Sequence, residues 1–128
     1  MKKNLLFLSI LFLTACSTIG RQADEPPDSG IDVQVLIGPM CPVVQFGTEC
    51  PDQPYQASLT VIDSRGREVM QFETDAGGRY RAYLAPGDYM LRPEMPEGMP
   101  LPFAEEQGFT VEPLKFTRVV IHYDSGIR

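Results

Sequence analysis

The sequence predicts an all-β protein, namely an antiparallel sandwich of seven strands. Short segments in which apolar and polar residues alternate recur about every ten residues, as expected for strands with one buried face. The 128 residues include 12 Pro and 11 Gly, which favour frequent turns and interrupt helices. After residue 30, no stretch shows the apolar periodicity of a helix that packs on a core. A chain of this length is expected to form one domain with a modest core.

The N-terminus has the features of an export signal. Lys2-Lys3 is a positive segment, and an apolar run of nine residues, Leu5–Leu13, follows it and is too short to span a bilayer. Leu13-Thr14-Ala15-Cys16 then resembles the lipobox of bacterial lipoproteins. The resemblance implies cleavage before the Cys, a diacylglycerol thioether on its sulfur and acylation of the new amino terminus, which together anchor a protein stably. Residues 1–15 are therefore interpreted as a lipoprotein signal peptide; the alternative is a plain secretory signal with an incidental Cys.

The expected location is the bacterial cell envelope. Ser17, beside the lipidated position, resembles a signal for sorting to the outer membrane if the source has one. The net charge of −6 argues against non-specific binding of nucleic acid, which needs Lys and Arg to displace counterions. Such a charge is also repelled by anionic head groups, so membrane attachment is expected to be covalent. Residues 16–30, which are polar, acidic and aperiodic, are predicted to be the lipidated Cys and a flexible, disordered tether that contributes nothing to the core.

The predicted strands begin with Ile31–Ile37, which alternates cleanly and ends at Gly38-Pro39. Six further segments are predicted strands: Ala57–Asp63, Glu68–Thr74, Arg79–Ala85, Asp88–Arg92, Gln107–Glu112 and Lys115–Tyr123. In the second of these six the apolar residues do not fit one alternation, which predicts a β-bulge. The sandwich is expected to occupy residues 31–124, with residues 125–128 as a C-terminal tail.

Two tight turns give the strongest local signals. The Asp-Ala-Gly-Gly sequence at 75–78 predicts one turn, and Pro86-Gly87 is typical of a type II turn between two short strands. Leu84-x-Pro86-Gly87-x-Tyr89 resembles a tyrosine corner, in which a buried Tyr hydroxyl bonds to the backbone a few residues upstream. We therefore expect Tyr89 to be buried against Leu84, with its hydroxyl bonded to the backbone close to Ala85.

From Ile31 to Tyr123 the chain resembles the transthyretin-like (prealbumin-like) domains of the carboxypeptidase-regulatory and Cna B-type kind. The resemblance rests on Asp75-x-x-Gly78-x-Tyr80, where the family usually has Phe at the last position, and on Leu84-x-Pro86-Gly87-x-Tyr89-x-Leu91. It implies a seven-stranded Greek-key sandwich, immunoglobulin-like or transthyretin-like, that serves as a spacer, adhesion or regulatory module. We therefore expect a non-enzymatic protein without a cofactor that binds or spaces another envelope component. The alternative is a small-ligand or carbohydrate-binding lipoprotein.

The three Cys are an odd number for an exported protein. If Cys16 carries lipid, Cys41 and Cys50 remain as one pair in an oxidising compartment, and a disulfide between them is predicted. It would staple the Pro-rich loop at residues 40–56, which is too long to be ordered without support. A metal site would need more ligands than these two Cys and His122 offer, so no metal is expected.

Catalytic alternatives lack the residues that they require. Hydroxyisourate hydrolase, an enzyme of the same fold class, needs several His, whereas His122 is the only one here and is predicted to face solvent. Some Cna B-type domains form an internal bond between Lys and Asn or Asp. The mature chain would keep no Asn and only Lys115, which is predicted to be an exposed edge charge. Acidic turn residues such as Asp63 and Asp75 lack the spacing of a Ca²⁺ loop.

Two groups of residues are candidate binding surfaces. Arg79, Arg81 and Tyr83 share the predicted solvent face of one strand, where they could recognise a small ligand or sugar. Met95 and Met99 belong to a Pro-rich segment, 93–104, that lacks the donors to join a sheet. With Leu101 and Phe103 they are predicted to cap the open end of the sandwich; the alternatives are a partner-binding patch or thioether ligands for copper.

Overall fold

The structure, a computed structural model, describes residues 28–42 and 50–128. The predicted signal peptide, the lipidated Cys16 and most of the predicted tether lie outside the described residues. The predictions about them therefore stay predictions. Within the described ranges all regular structure is β, and no helix is long and apolar enough to cross a membrane.

The described residues contain eight strands. They are β1 (Gly30–Gly38), β2 (Gln53–Pro54), β3 (Ser58–Asp63), β4 (Glu68–Glu73), β5 (Arg79–Tyr83), β6 (Gly87–Pro93), β7 (Gln107–Val111) and β8 (Phe116–Asp124). All seven predicted strands are present, with bounds that differ by two residues at most. The additional strand is the two-residue β2, inside the predicted loop, which is too short to leave a pattern in the sequence.

The strands form two sheets, which confirms the predicted sandwich. In the first sheet β1 is central: β5 and β2 pair with successive parts of one side, antiparallel, and β8 pairs with the other side. The second sheet has the order β4-β3-β6-β7 and is antiparallel throughout. The β1–β8 pair is parallel over nine positions, from Gly30↔Phe116 to Gly38↔Asp124, which differs from the antiparallel pairing that the sequence predicted. Alternation shows which face of a strand is buried, but it does not show the direction of its neighbour.

The core lies between the inner faces of the two sheets. β1 and β8 contribute the alternating residues Ile31, Val33, Val35, Val119, Ile121 and Tyr123, all of which are buried. The second sheet contributes Leu59, Val61, Phe72, Leu91, Phe109 and Val111. This pattern follows the predicted strand faces, because a period of two places every second side chain on the same side.

Both ends of the predicted sandwich extend further than expected. Ser29 is 2% exposed, and its hydroxyl donates to the Leu84 carbonyl over 2.7 Å. The prediction that the first thirty residues contribute nothing to the core is therefore wrong at its last two positions. At the other end, the Ser125 N–H donates to the Gly38 carbonyl over 2.9 Å. Hydrogen bonds from Arg128 and the Gly126 N–H lower the pKa of Asp124 to about 2, so the predicted tail is held against the sandwich.

The tyrosine corner lies where the chain changes sheets. β5 belongs to the first sheet and β6 to the second, so the two strands are not paired with each other. The Tyr89 hydroxyl donates to the Ala85 carbonyl over 2.6 Å, which confirms the predicted bond. Two details differ: Tyr89 is half-buried and stacks on Phe109 with ring centroids 5.6 Å apart, and Gly87 has a φ of 156°. That angle is far from the value of about +80° in a type II turn, so the predicted turn type is wrong.

Two other local predictions are confirmed. At the 75–78 turn the Asp75 carbonyl accepts the Gly78 N–H over 2.9 Å, and Gly78 has a φ of 71°. A Cβ at this position would lie 2.3 Å from the Val35 carbonyl oxygen, so only Gly fits here. The bulge is in β4, since Val61 pairs with Met70 and the next residue of β3 pairs with Glu68, which leaves one residue between them unpaired.

Tyr123, near the end of β8, connects the core to the segment after β6. Its side chain is 2% exposed, its ring meets Tyr55 edge-on at 5.0 Å, and its hydroxyl donates to the Glu94 carbonyl over 2.7 Å. Burial raises the pKa of Tyr123 to about 12, because ionisation would place a charge among apolar groups.

Replacing Tyr89 with Phe is expected to lower the free energy of unfolding by about 1 kcal/mol, since the hydrogen bond from this half-buried side chain to the exposed Ala85 carbonyl is lost. Urea unfolding of the two proteins measures the difference. Equal midpoints would show that the hydroxyl bond contributes nothing to stability.

Replacing Tyr123 with Phe is expected to cost about 1–2 kcal/mol at pH 7, because the part-buried hydrogen bond from the buried hydroxyl to the Glu94 carbonyl is lost. The substitution should also change how the free energy of unfolding declines at alkaline pH. The folded-state pKa of about 12 lies above the unfolded value, so the stabilisation from the neutral hydroxyl is complete below pH 10 and is lost as the pH rises towards 12.

The measurement for Tyr123→Phe is the free energy of unfolding from pH 7 to pH 12. Tyr83→Phe is the control, since that ring is 56% exposed, and it should decline with pH as the wild type does. A decline of equal steepness in Tyr123→Phe and the wild type would contradict the prediction.

Candidate functional site

Three rows of side chains cross the outer face of the first sheet. Because β1 lies between β5 and β8, the register of the two pairings places one residue from each strand in every row. The rows are Tyr83–Gly30–Phe116, Arg81–Asp32–Arg118 and Arg79–Gln34–Val120. Arg79, Arg81 and Tyr83 share this face as predicted, and the structure adds neighbours from β1 and β8. We call these rows the cross-strand surface.

The middle row is an arginine-rich ion pair. The Arg81 guanidinium donates to both carboxylate oxygens of Asp32, over 2.7 and 3.1 Å, and its central carbon lies 4.0 Å from the centroid of the Phe116 ring. The hydrogen bond from Arg81 lowers the pKa of the Asp32 carboxyl. Both side chains are about half exposed, so the pair contributes little to stability; its main effect is to fix the position of Arg81.

The first row joins two aromatic rings above a glycine. Gly30 has no side chain, so Tyr83 and Phe116 meet over it with centroids 5.4 Å apart and planes at 86°. Such edge-to-face contact is favourable because the ring edge is positive and the face negative. Tyr83 remains 56% exposed, which leaves one ring available to a ligand.

The third row orients another guanidinium. Arg79 donates through Nε to the Gln34 side-chain oxygen over 3.0 Å, and the Gln34 amide donates to the Gly77 carbonyl over 3.0 Å. Arg118 lies across β1 from Arg81 and is exposed. A groove of about 440 Å³ runs along the second and third rows and is also lined by Asp75.

The cross-strand surface can bind an anionic group beside a flat apolar one. The groove is lined by three arginines and by the two carboxylates of Asp32 and Asp75, so its lining is positive on a chain whose net charge is −6. Guanidinium groups bind carboxylate, sulfate or phosphate oxygens, and an exposed ring can stack on a sugar face. Arg118 and Phe116 were not predicted to belong to this surface, since no local pattern in the sequence shows that β8 lies beside β1.

The Pro-rich segment after β6 does not cap the sandwich. Met95, Met99, Leu101 and Phe103 are 39%, 62%, 37% and 45% exposed, so the capping prediction is wrong. The segment is held instead by its backbone, because Phe103 and Asp124 exchange both of their N–H···O bonds, and by the buried Ala104. The exposed methionines remain a candidate partner-binding patch.

The predicted disulfide is present. Cys41 and Cys50 are bonded with their Cα atoms 6.1 Å apart, although residues 43–49 between them lie outside the described residues. His122 is exposed, as predicted, and its Nδ1 lies 3.3 Å from a carboxylate oxygen of Asp52. Asp52 reaches it across Gly38, where a Cβ would lie 1.8 Å from that carboxylate. The contact holds the end of the disulfide loop against β8.

The other candidate chemistry stays at the surface. Lys115 is exposed, as predicted, and pairs with Glu112 over 3.1 Å. Among the residues that the structure describes, no group of three or more His, Cys, Asp or Glu side chains is placed to hold a metal ion.

Comparison with known proteins gives a likeness of fold. No protein-family model matches the chain, and no curated protein matches it significantly in sequence. GBS52, the minor pilin of the Gram-positive pathogen Streptococcus agalactiae, is similar with a TM-score of 0.56 and 20% identity, over 77% of this chain and 45% of that one. The Bacillus anthracis TIE protein is similar with a TM-score of 0.50 and 17% identity, over 76% of this chain and 17% of that one.

The chain spans less than half the length of either solved protein. At these identities the likeness shows the fold alone, and it agrees with the two-sheet β-sandwich described above.

Proposed function

We propose that the protein is a lipid-anchored, non-enzymatic β-sandwich module of the bacterial cell envelope that binds or spaces another envelope component. The observation that carries the proposal is the cross-strand surface, where charged and aromatic side chains are exposed and already held in place. Groups ordered before binding lose less conformational entropy when a partner arrives. The similarity of the fold to that of a protein described as a minor pilin supports a structural or adhesive role.

The course of the chain suits attachment through Cys16. The described part begins at residue 28, just before the end of β1 at which Gly30 lies between Tyr83 and Phe116. The disulfide loop follows Gly38, at the opposite end of the same strand. A flexible tether over residues 17–28 would span roughly 20 Å, which would bring the module close to a lipid surface with Cys41 and Cys50 at its far end.

The lipid anchor is tested by labelling bacteria that express the full chain with a palmitate analogue. We expect the wild-type protein to carry the label and to be recovered in the membrane fraction. The Cys16→Ser variant should be neither labelled nor recovered there. The double variant Cys41→Ser/Cys50→Ser is the control and should keep the label, because it removes the other two thiols. Unlabelled wild type in the soluble envelope fraction would show a plain secretory signal instead.

A second candidate function is carbohydrate or small-ligand binding. The exposed Tyr83 ring beside Arg79 and Arg81 favours it, since aromatic faces stack on sugars while guanidinium groups bind acidic substituents.

This candidate is tested by measuring how envelope saccharides bind to the purified chain without its lipid, on an array and by calorimetry. Tyr83→Ala should lower affinity roughly tenfold, whereas Tyr83→Phe keeps the ring and should bind nearly as well. A module that only spaces other components should bind no saccharide, and equal affinity of Tyr83→Ala and the wild type would exclude this surface.

A further inference from the structure

The outer edge of β8 is the longest open strand edge in the described part of the chain. β8 pairs with β1 along all nine of its residues on one side. On its other side the described residues make one bridge, in which Phe103 donates to the Asp124 carbonyl over 3.1 Å and accepts the Asp124 N–H over 2.6 Å. A segment of the same chain therefore already pairs with this edge at one residue.

The register shows which backbone groups of β8 point outward. The Gly30 N–H donates to the Lys115 carbonyl over 3.1 Å, so the odd-numbered residues of β8 turn their backbone groups towards β1. The N–H and C=O of one strand residue point to the same side and alternate along the strand. Arg118, Val120 and His122 therefore direct their N–H and C=O groups to the outer edge, as Asp124 does.

This edge lacks three features that keep other edges from pairing, namely a bulge, a proline and short length. β4 carries a bulge, and β5 and β7 are only five residues long. Bulges and short length are common protection against strand addition. β8 has nine residues with neither Pro nor a bulge.

A groove of about 600 Å³ runs along the open edge. On the β8 side the groove is lined by Val120, Ile121, His122 and Asp124. Along the strand edge itself, the bond of 2.7 Å from the Thr117 hydroxyl to the Thr110 carbonyl lies at one end, and the Phe103–Asp124 bridge lies at the other. Between them, residues 118–122 leave an opening of about 16 Å, the length of a five-residue strand.

The lining of the groove indicates the chemistry of its occupant. Ile121 and Ala104 are buried apolar residues, and Glu105 and Glu106 are exposed on the facing wall. Glu106 pairs with Arg92 over 2.8 Å. A Lys or Arg that faces inward from an added strand would lay its methylene groups on the apolar residues and its charge beside Glu105.

We propose that the edge of β8 from Arg118 to His122 is a docking site for an extended segment of a partner protein. The segment adds to the first sheet as an antiparallel strand, continuing the rung that Phe103 makes, and carries basic residues at the alternate positions that face Glu105. The site shares Arg118 and Val120 with the cross-strand surface, but it uses their backbone groups rather than their side chains. The proposal does not depend on the lipid anchor.

A second copy of the chain fits this edge poorly. Two β8 strands related by a twofold axis at Val120 would oppose Asp124 to Phe116 of the other copy. Phe103 already occupies the edge at Asp124, so that pairing would have to break the bridge.

The test uses the purified chain without its lipid and a synthetic peptide of alternating Lys and Thr. Its controls are a peptide of the same composition with all Lys before all Thr, and one with Glu in place of Lys. Calorimetry should show that the alternating Lys peptide binds and that neither control peptide does. Hydrogen exchange should show that the peptide slows exchange of the Arg118, Val120 and His122 amides.

Val120→Pro removes one outward N–H and no bond to β1, and it should weaken binding roughly tenfold or more. Val120→Ala, which keeps the N–H, is the matched control and should bind within about twofold of the wild type. Should the Pro variant not fold, Glu105→Lys tests the charge: it should lose the Lys peptide and gain the Glu peptide.

Three outcomes would overturn the proposal. Equal binding of all three peptides would show a non-specific interaction. Slow exchange of the three amides in the dilute monomer without peptide would show that this chain's own segment covers the edge. Protection that rises with protein concentration, together with a dimer in light scattering, would assign the edge to a second copy.

Discussion

The parallel pairing of β1 with β8 is the constraint on which the rest of the structure depends. It joins a strand from the start of the described chain to its last strand over nine positions, and so closes the first sheet around β1. The same register sets Gly30 between Tyr83 and Phe116, and Asp32 between Arg81 and Arg118. It also decides which side of β8 stays open. A shift of one residue would turn Val119 and Ile121 out of the core, so burial of these side chains holds the register.

Side-chain hydroxyl groups donate hydrogen bonds to backbone carbonyls at positions where the chain leaves its β-strands. Tyr89 donates to the Ala85 carbonyl at the crossing from β5 to β6, and Tyr123 donates to the Glu94 carbonyl just after β6. Ser29 does the same for the Leu84 carbonyl. Each of these carbonyls lies beyond the end of a strand, where no ladder partner is available, and an unpaired polar group costs free energy when it is buried. A sandwich whose chain repeatedly changes sheets needs such donors, and this chain takes them from Tyr and Ser.

The first sheet carries both of the surfaces that we assign to binding, and they differ in kind. The cross-strand surface presents side chains, and their arrangement suits an anionic or saccharide group that lies flat on the sheet. The β8 edge presents backbone groups beside acidic residues, and it suits an extended basic segment. A protein with both can contact two components at once, since one surface lies on the face of the sheet and the other along its edge.

Local chemistry in the sequence determined the strands, the β4 bulge, the 75–78 turn, the Cys41–Cys50 pair and the bond of the Tyr89 hydroxyl. Each depends on residues close together in the chain, where alternation, Gly and Pro placement and spacing act directly. Tertiary structure alone decided the parallel direction of β8, the exposure of Met95 and Met99, the φ of Gly87 and the position of Arg118 beside Asp32. These depend on which strands become neighbours. Neighbours are chosen by packing two whole sheets together, and a period of two contains no information about that choice.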